Sequence, residues 1–128
     1  MTRLVLDAWA WVEYLSGSES GRKVDEAIQG SQEIWVSVAS VAEVASKYRR
    51  SGRDEAPAMR AITTVSKVGE LGLEDAIQAG KIHAELKRKV PNFSLADSFV
   101  LQLARKVGAR VLTGDPDFNG LKEAELIS

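Results

Sequence analysis

Five carboxylates and one hydroxyl fall where the chain delivers a side chain to a point. Asp7 follows the apolar triplet Leu4, Val5, Leu6, and Thr113, Asp115 and Asp117 follow Val111 and Leu112 in a Thr-Gly-Asp-Pro-Asp loop. Apolar runs this short, ended by Asp, Gly or Pro, read as buried strands that stop at tight turns. Glu43 and Asp97 lie in the first turn or so of two predicted helices. If the strands share one parallel sheet, these acids emerge at its carboxyl edge, where open α/β sheets place their sites. Carboxylates gathered there repel one another, and some protonate unless a cation neutralises them. With no cysteine and a single histidine in the chain, oxygen-only donors select a hard cation, Mg²⁺ or Mn²⁺. Such an ion polarises a phosphoryl oxygen and lowers the pKa of a water, and Thr113 could orient a ligand or that water. The chemistry indicated is metal-assisted phosphodiester hydrolysis.

Each acid also has a local explanation. Ser40-Val-Ala-Glu43 and Ser94-Leu-Ala-Asp97 both fit the capping-box pattern, which needs no ligand. Asp117 fits a turn residue. Asp7, between Leu6 and Ala8, has no obvious local charge partner.

The elements that must position these groups follow in order. A strand at 4–6 leads through Asp7 into a short helix, AWAWVEYL, with Trp9 and Val12 facing inward and Trp11 a further candidate. Ser16, Gly17 and Ser18 end it, and Ser18 caps a second helix through about Gln29. After Gly30, residues 33–38 are β-branched and aromatic enough for strand two. SVAEVASKYRR predicts a helix with Val41, Val44, Ala45 and Tyr48 at helical spacing, followed by a turn at Ser51, Gly52 and Arg53. Residues 55–67 predict an amphipathic helix with Pro57 in its first turn, 69–73 a short weak strand, and 74–89 a helix. Val90, Pro91 and Asn92 break that helix, Ser94 caps LADSFVLQLARKV, and Gly108 ends it. A strand at 109–112 precedes the acidic loop, and Leu126 and Ile127 suggest a last edge strand. Strands alternating with helices predict a three-layer α/β/α sandwich around a mostly parallel sheet of four to five strands.

At 128 residues the chain is expected to form one domain over 1–128, burying roughly two-thirds of its unfolded surface. An apolar fraction of 45% and a charged fraction of 27% are those of an ordinary globular protein. The lack of cysteine leaves no disulfide or thiolate chemistry. With no apolar targeting segment or bilayer-length run, a cytoplasmic protein without membrane contact is expected. A net charge of −1 means that a nucleic-acid partner would need a local basic patch.

LVLDAWAWVEYL, SVAEV, SLADSFVLQLA and VLTGDPDF, in this order and at these separations, resemble the PIN-domain ribonucleases, most of all the compact VapC-type toxins of toxin–antitoxin pairs. The likeness spans nearly the whole chain. It implies a metal-dependent endoribonuclease whose metal-binding acids are Asp7, Glu43, Asp97 and Asp115, with Asp117 auxiliary and Thr113 the hydroxyl. It also implies a homodimer forming an RNA groove and a cognate antitoxin that blocks it. One departure is Ala8 and Trp9, where the family often carries Ser, Thr or Asn; the expected consequence is the loss of a supporting hydrogen bond near Asp7.

Lys47, Arg49, Arg50 and Arg53 form one basic run, and Lys87, Arg88 and Lys89 another. Each fits a solvated helix face as well as phosphate contact, and Lys47, one turn after Glu43, could reach a phosphate near the metal. His83, without a second ligand nearby, reads as a surface or packed residue. Trp9, Trp11 and Trp35 read as core or dimer-interface aromatics, with no sequence support for base stacking. Among rival folds, a phosphoacceptor receiver would pair an acid with Asp7 and place a Lys near Thr113. A haloacid-dehalogenase-type phosphatase would carry Asp where Trp9 stands, and a flap nuclease needs a helical insertion for which there is no room. An RNA-processing nuclease that is not a toxin, and a degenerate PIN-like binding module, remain as alternatives to the toxin.

Overall fold

Alternation along the strands sends side chains to two separate cores. Leu4 and Leu6 pack with Ile34, Val36 and Leu112 on one face, and Val5 and Val111 with Phe93, Leu101 and Phe118 on the other. A sheet covered on both faces needs apolar residues at nearly every strand position, which is why these strands read as short continuous runs. The computed structural model describes residues 2–127. Its strands are β1 (Arg3–Leu6), β2 (Glu33–Ser37), β3 (Lys67–Gly69), β4 (Arg110–Thr113) and β5 (Ala124–Leu126). Its helices are α1 (Ala8–Ser16), α2 (Glu19–Gln29), α3 (Val38–Arg50), α4 (Ala56–Val65), α5 (Leu73–Leu86) and α6 (Leu95–Val107), with a 3-10 turn at Pro116–Phe118.

The five strands run in the order β3-β2-β1-β4-β5, and every pairing is parallel. Helices α1 to α4 contribute to the first core, α5 and α6 to the second, giving the three layers. Strand β1 lies in the middle: the chain leaves it toward β2 on one side and returns at β4 on the other. That reversal of strand order opens a crevice at the carboxyl ends of β1 and β4. The register sets Leu6 beside Leu112, so Asp7 and Thr113 are adjacent at the edge, and the Asp7 amide donates to the Leu112 carbonyl at 3.3 Å.

Local signals account for most of the elements, with several differences. Gly108 ends α6 at φ 69°, a left-handed conformation that L side chains resist, and so releases the chain into β4. The helix expected over 55–67 stops at Val65, and 67–69 pairs as β3, an edge strand too short to show a pattern. Helix α5 spans 73–86, and Lys87, Arg88 and Lys89 lie in the following loop. In α1, Trp11 is fully buried whereas Trp9 and Val12 are only partly so, which reverses the expected order. Among the described residues no helix is long and apolar enough to cross a membrane.

Candidate metal centre

Asp7 is the best buried of the candidate acids, at 3% exposure. It caps α1, its Oδ1 accepting from the Ala10 amide at 2.9 Å, while its Oδ2 accepts from the Thr113 hydroxyl at 2.5 Å. The Thr113 oxygen in turn accepts from the Asp115 amide at 2.9 Å. Thr113 therefore holds Asp7 and the Asp115 backbone together, and is committed to that contact. This corrects the expectation that Asp7, followed by Ala8 and Trp9, lacks a supporting hydrogen bond. Asp115 caps the 3-10 turn, its Oδ1 accepting from the Asp117 amide at 2.9 Å.

Asp97 is the third residue of α6 and closes a capping box with Ser94: its amide donates to the Ser94 hydroxyl at 3.0 Å and its Oδ2 accepts from the Ser94 amide at 3.3 Å. The capping-box reading of Asp97 is thus correct. For Glu43 the capping-box reading fails, while plain solvation fits an exposed residue. Helix α3 is capped by Ser37, whose hydroxyl accepts from the Ala39 amide at 3.2 Å. Ser40 lies inside the helix, buried, with its hydroxyl unpartnered among the described residues. Glu43 therefore stands in the second turn, free of any capping role.

These acids share one field. Burial pushes the Asp7 carboxyl up to about 7, against the hydrogen bonds from Thr113 and Ala10, and the charges of Asp97 and Asp115 push it further. Burial raises Asp97 as well, its bonds to Ser94 oppose the rise, and Asp115 and Asp117 add to it. Glu43 belongs to an exposed residue, yet loss of water around its carboxyl and the charge of Asp97 shift it upward too. Among the described residues no Lys or Arg ion pair involves any of these five acids. The structure thus brings Asp7, Glu43, Asp97, Asp115 and Asp117 from β1, α3, α6 and the β4 loop to one edge. The all-oxygen donor set, with a buried carboxylate and no counter-charge, fits a hard divalent cation. Among the described residues, however, no group of three or more His, Cys, Asp or Glu stands close enough together to hold a metal ion, so the acids share a charge field and not a coordination shell.

Two features border the acids, one of them the Lys47 position one turn after Glu43 that the sequence indicates. The indole of Trp9 lies on Gly114, between Thr113 and Asp115: a Cβ there would meet three benzo-ring carbons at 2.3, 2.4 and 2.6 Å. Distances so nearly equal arise over the face of a ring, not at its edge. Beside Trp9 a groove of about 280 Å³ runs between α1 and α3, lined by Ala8, Val12, Glu43, Lys47 and Arg50 among others. The spacing 43, 47, 50 is one helical stripe, a signal present in the sequence. His83 is partly buried in α5, away from these groups.

A five-stranded parallel sheet with acids at its carboxyl edge defines the class: an α/β domain with a strand-end acidic site. A PIN-domain family model matches residues 4–124, and the chain belongs to the PIN-domain family. No curated protein matches the sequence significantly. The fold is that of VapBC2 from Rickettsia felis bound to a fragment of promoter DNA, with a TM-score of 0.78, 15% identity, and 99% of this chain and 100% of that one covered. It is also that of DNA-bound VapBC from Salmonella typhimurium (TM-score 0.74, 19% identity, 98% and 97% covered). A third similar structure is the Mycobacterium tuberculosis toxin VapC20, described as cleaving the sarcin-ricin loop (TM-score 0.73, 16% identity, 98% and 99% covered).

Proposed function

We propose that this chain is a Mg²⁺- or Mn²⁺-dependent endoribonuclease, the toxin of a toxin–antitoxin pair. The observation that carries the reading is that burial and neighbouring acids raise three carboxyls at one edge: Asp97 and Asp115 act on Asp7, Asp97 on Glu43, and Asp115 and Asp117 on Asp97, with no ion-pair partner among the described residues. A structural role alone gives no reason to gather uncompensated carboxylates around a buried one. The resemblance of the fold to VapC and VapBC structures, one of them a cleaver of an RNA loop, supports the substrate and the toxin role.

In this reading Asp7, Glu43, Asp97 and Asp115 hold the ion, with Asp117 auxiliary. The bound ion would polarise a phosphoryl oxygen and make water acidic enough to attack in line. Thr113 keeps the Asp7 carboxylate oriented, and its hydrogen bond opposes the rise in pKa that burial imposes. Asp97 is held at the start of α6 by its capping box with Ser94. A cognate antitoxin and a second copy of the chain are the proposed protein partners. The exposed Val38, Val68 and Leu71, which line one shallow groove, offer them apolar surface.

The test is cleavage of structured RNA by the purified chain with Mg²⁺ or Mn²⁺, with EDTA, and with Asp97→Asn. Cleavage that needs the ion and drops on the order of 100-fold or more in the variant is expected. Cleavage that survives both EDTA and Asp97→Asn would place the chemistry elsewhere. Cation stabilisation lost in Asp97→Asn, with no cleavage of any RNA, would favour a binding module.

A further inference from the structure

The groove between α1 and α3 joins an aromatic ring to two cations at the border of the acidic centre. Trp9 is partly buried, one ring face lying on Gly114, and its remaining surface lines the groove. Gly114 links Thr113, which donates to Asp7, to Asp115, so the indole is fixed against the backbone of the acidic site itself. Across the groove Glu43, Lys47 and Arg50 descend α3 in one stripe about 10 Å long. Lys47 has no ion-pair partner among the described residues, and the Arg50 Nε donates only to the Ser46 hydroxyl at 3.2 Å. Trp9 packs in part against the first core, yet unlike Trp11, which is fully buried, it keeps surface in this groove beside Lys47 and Arg50.

Building on the ribonuclease reading, we propose that Trp9 is a base-stacking platform: an unpaired base next to the scissile phosphate lies on its open surface, while Lys47 and Arg50 hold the flanking phosphates. An indole fixed on a glycine loses little freedom when a base stacks on it, and every base has a face to offer. The arrangement selects single-stranded or looped RNA, because a base paired within a duplex cannot reach the ring. Trp9 acts as a positioning residue, setting which phosphate meets the acids. The two cations offset the repulsion that those acids exert on the RNA backbone.

Binding is measured in EDTA, where the RNA stays intact, with a random-sequence single-stranded 12-mer and an abasic 12-mer of equal charge. The chain is expected to prefer the base-bearing oligomer roughly tenfold, about the worth of one base–aromatic stack. Trp9→Leu should lose that preference and keep its affinity for the abasic strand, whereas Trp9→Phe should keep most of it. Lys47→Gln should weaken both oligomers and reduce the salt slope by about one. Because Trp9→Leu disturbs the Gly114 packing, the unaltered chain is also irradiated with 5-iodouridine RNA, and the adduct is expected on Trp9. An adduct confined to other residues, equal preference in the unaltered chain and Trp9→Leu, or no RNA binding at all overturns the inference; unchanged RNA binding would point to a protein segment as the occupant. Mg²⁺-dependent cleavage, run in parallel, tests the ribonuclease reading separately, since a nuclease indifferent to Trp9→Leu would keep that reading and lose this one.

Discussion

Asp7 pairs an unfavourable burial with hydrogen bonds suited to its ionised form, a conflict that a proton relieves below about pH 7 and that a bound cation would relieve above it. In the metal-free protein its charge is a liability, so Asp7→Asn, which keeps the α1 cap acceptor, should raise stability at pH 8. An increase of about 2 kcal/mol, or roughly 8 °C in melting temperature, is expected, together with loss of stabilisation by Mg²⁺. A variant that melts lower and still responds to Mg²⁺ would contradict this account. Thr113 carries the opposite risk: its hydroxyl donates to Asp7 and accepts from the Asp115 amide, and both contacts are buried or partly buried. Thr113→Val should cost about 1–3 kcal/mol by leaving the amide without its partner. It should also cut cleavage about 10–100-fold, as loss of a ligand's supporting bond does. With the Thr113 hydrogen bond gone the Asp7 pKa rises, so the acid limb of the rate profile should move to higher pH, which a pH–rate series would show.

At the scale of elements, the contact between α1 and the β4 loop is the least forgiving. Gly114 has no left-handed backbone; what makes it glycine is the space taken by Trp9. Gly114→Ala should therefore destabilise by about 1–3 kcal/mol through overpacking. The cost should fall when Trp9→Ala is made in the same chain, and a double-mutant cycle by thermal or denaturant unfolding measures that coupling; additive costs would dissociate the two residues. The α5–α6 hairpin is tied by Asp75, which accepts from the Gln102 amide nitrogen at 2.9 Å and pairs with Lys106 at 3.0 Å. This antiparallel pairing returns the loop bearing Lys87, Arg88 and Lys89 to the end of α6 where Asp97 stands. Those three cations are exposed there.

For the whole molecule, the acidic edge gives stability a pH dependence of definite sign. Asp7 holds its proton in the fold up to about 7 but releases it near 3.8 when unfolded. Between those values Asp7 binds more proton in the folded state, so its contribution to metal-free stability is full below about pH 4 and is lost as pH rises toward 7, by roughly 4 kcal/mol at most. The upward shifts of Glu43 and Asp97 act in the same direction. The lowered carboxyls of Glu33, Asp54, Asp75 and Glu123 act in the opposite sense, at lower pH. Saturating Mg²⁺ should flatten the decline, because binding to the ionised fold adds about 2.7 kcal/mol at a hundred times Kd. Unfolding measured from pH 4 to 8 with and without the ion checks this, and a metal-free protein that grows more stable toward pH 7 would refute it. Short apolar runs broken by Asp, Gly and Pro, and the Ser94 cap with Gly108 beyond it, were enough by themselves to establish an α/β chain with Asp7, Thr113 and Asp115 at strand ends and Asp97 at a helix start. These are local signals, decided within a few residues of each position. Sequence alone did not decide that Trp11 rather than Trp9 enters the core, that Ser37 rather than Ser40 caps α3, or that β1 and β4 lie side by side. Each depends on a partner distant in the chain or on strand pairing: Trp9 is held out at the site by a glycine more than a hundred positions away, and only the packed fold brings the two together.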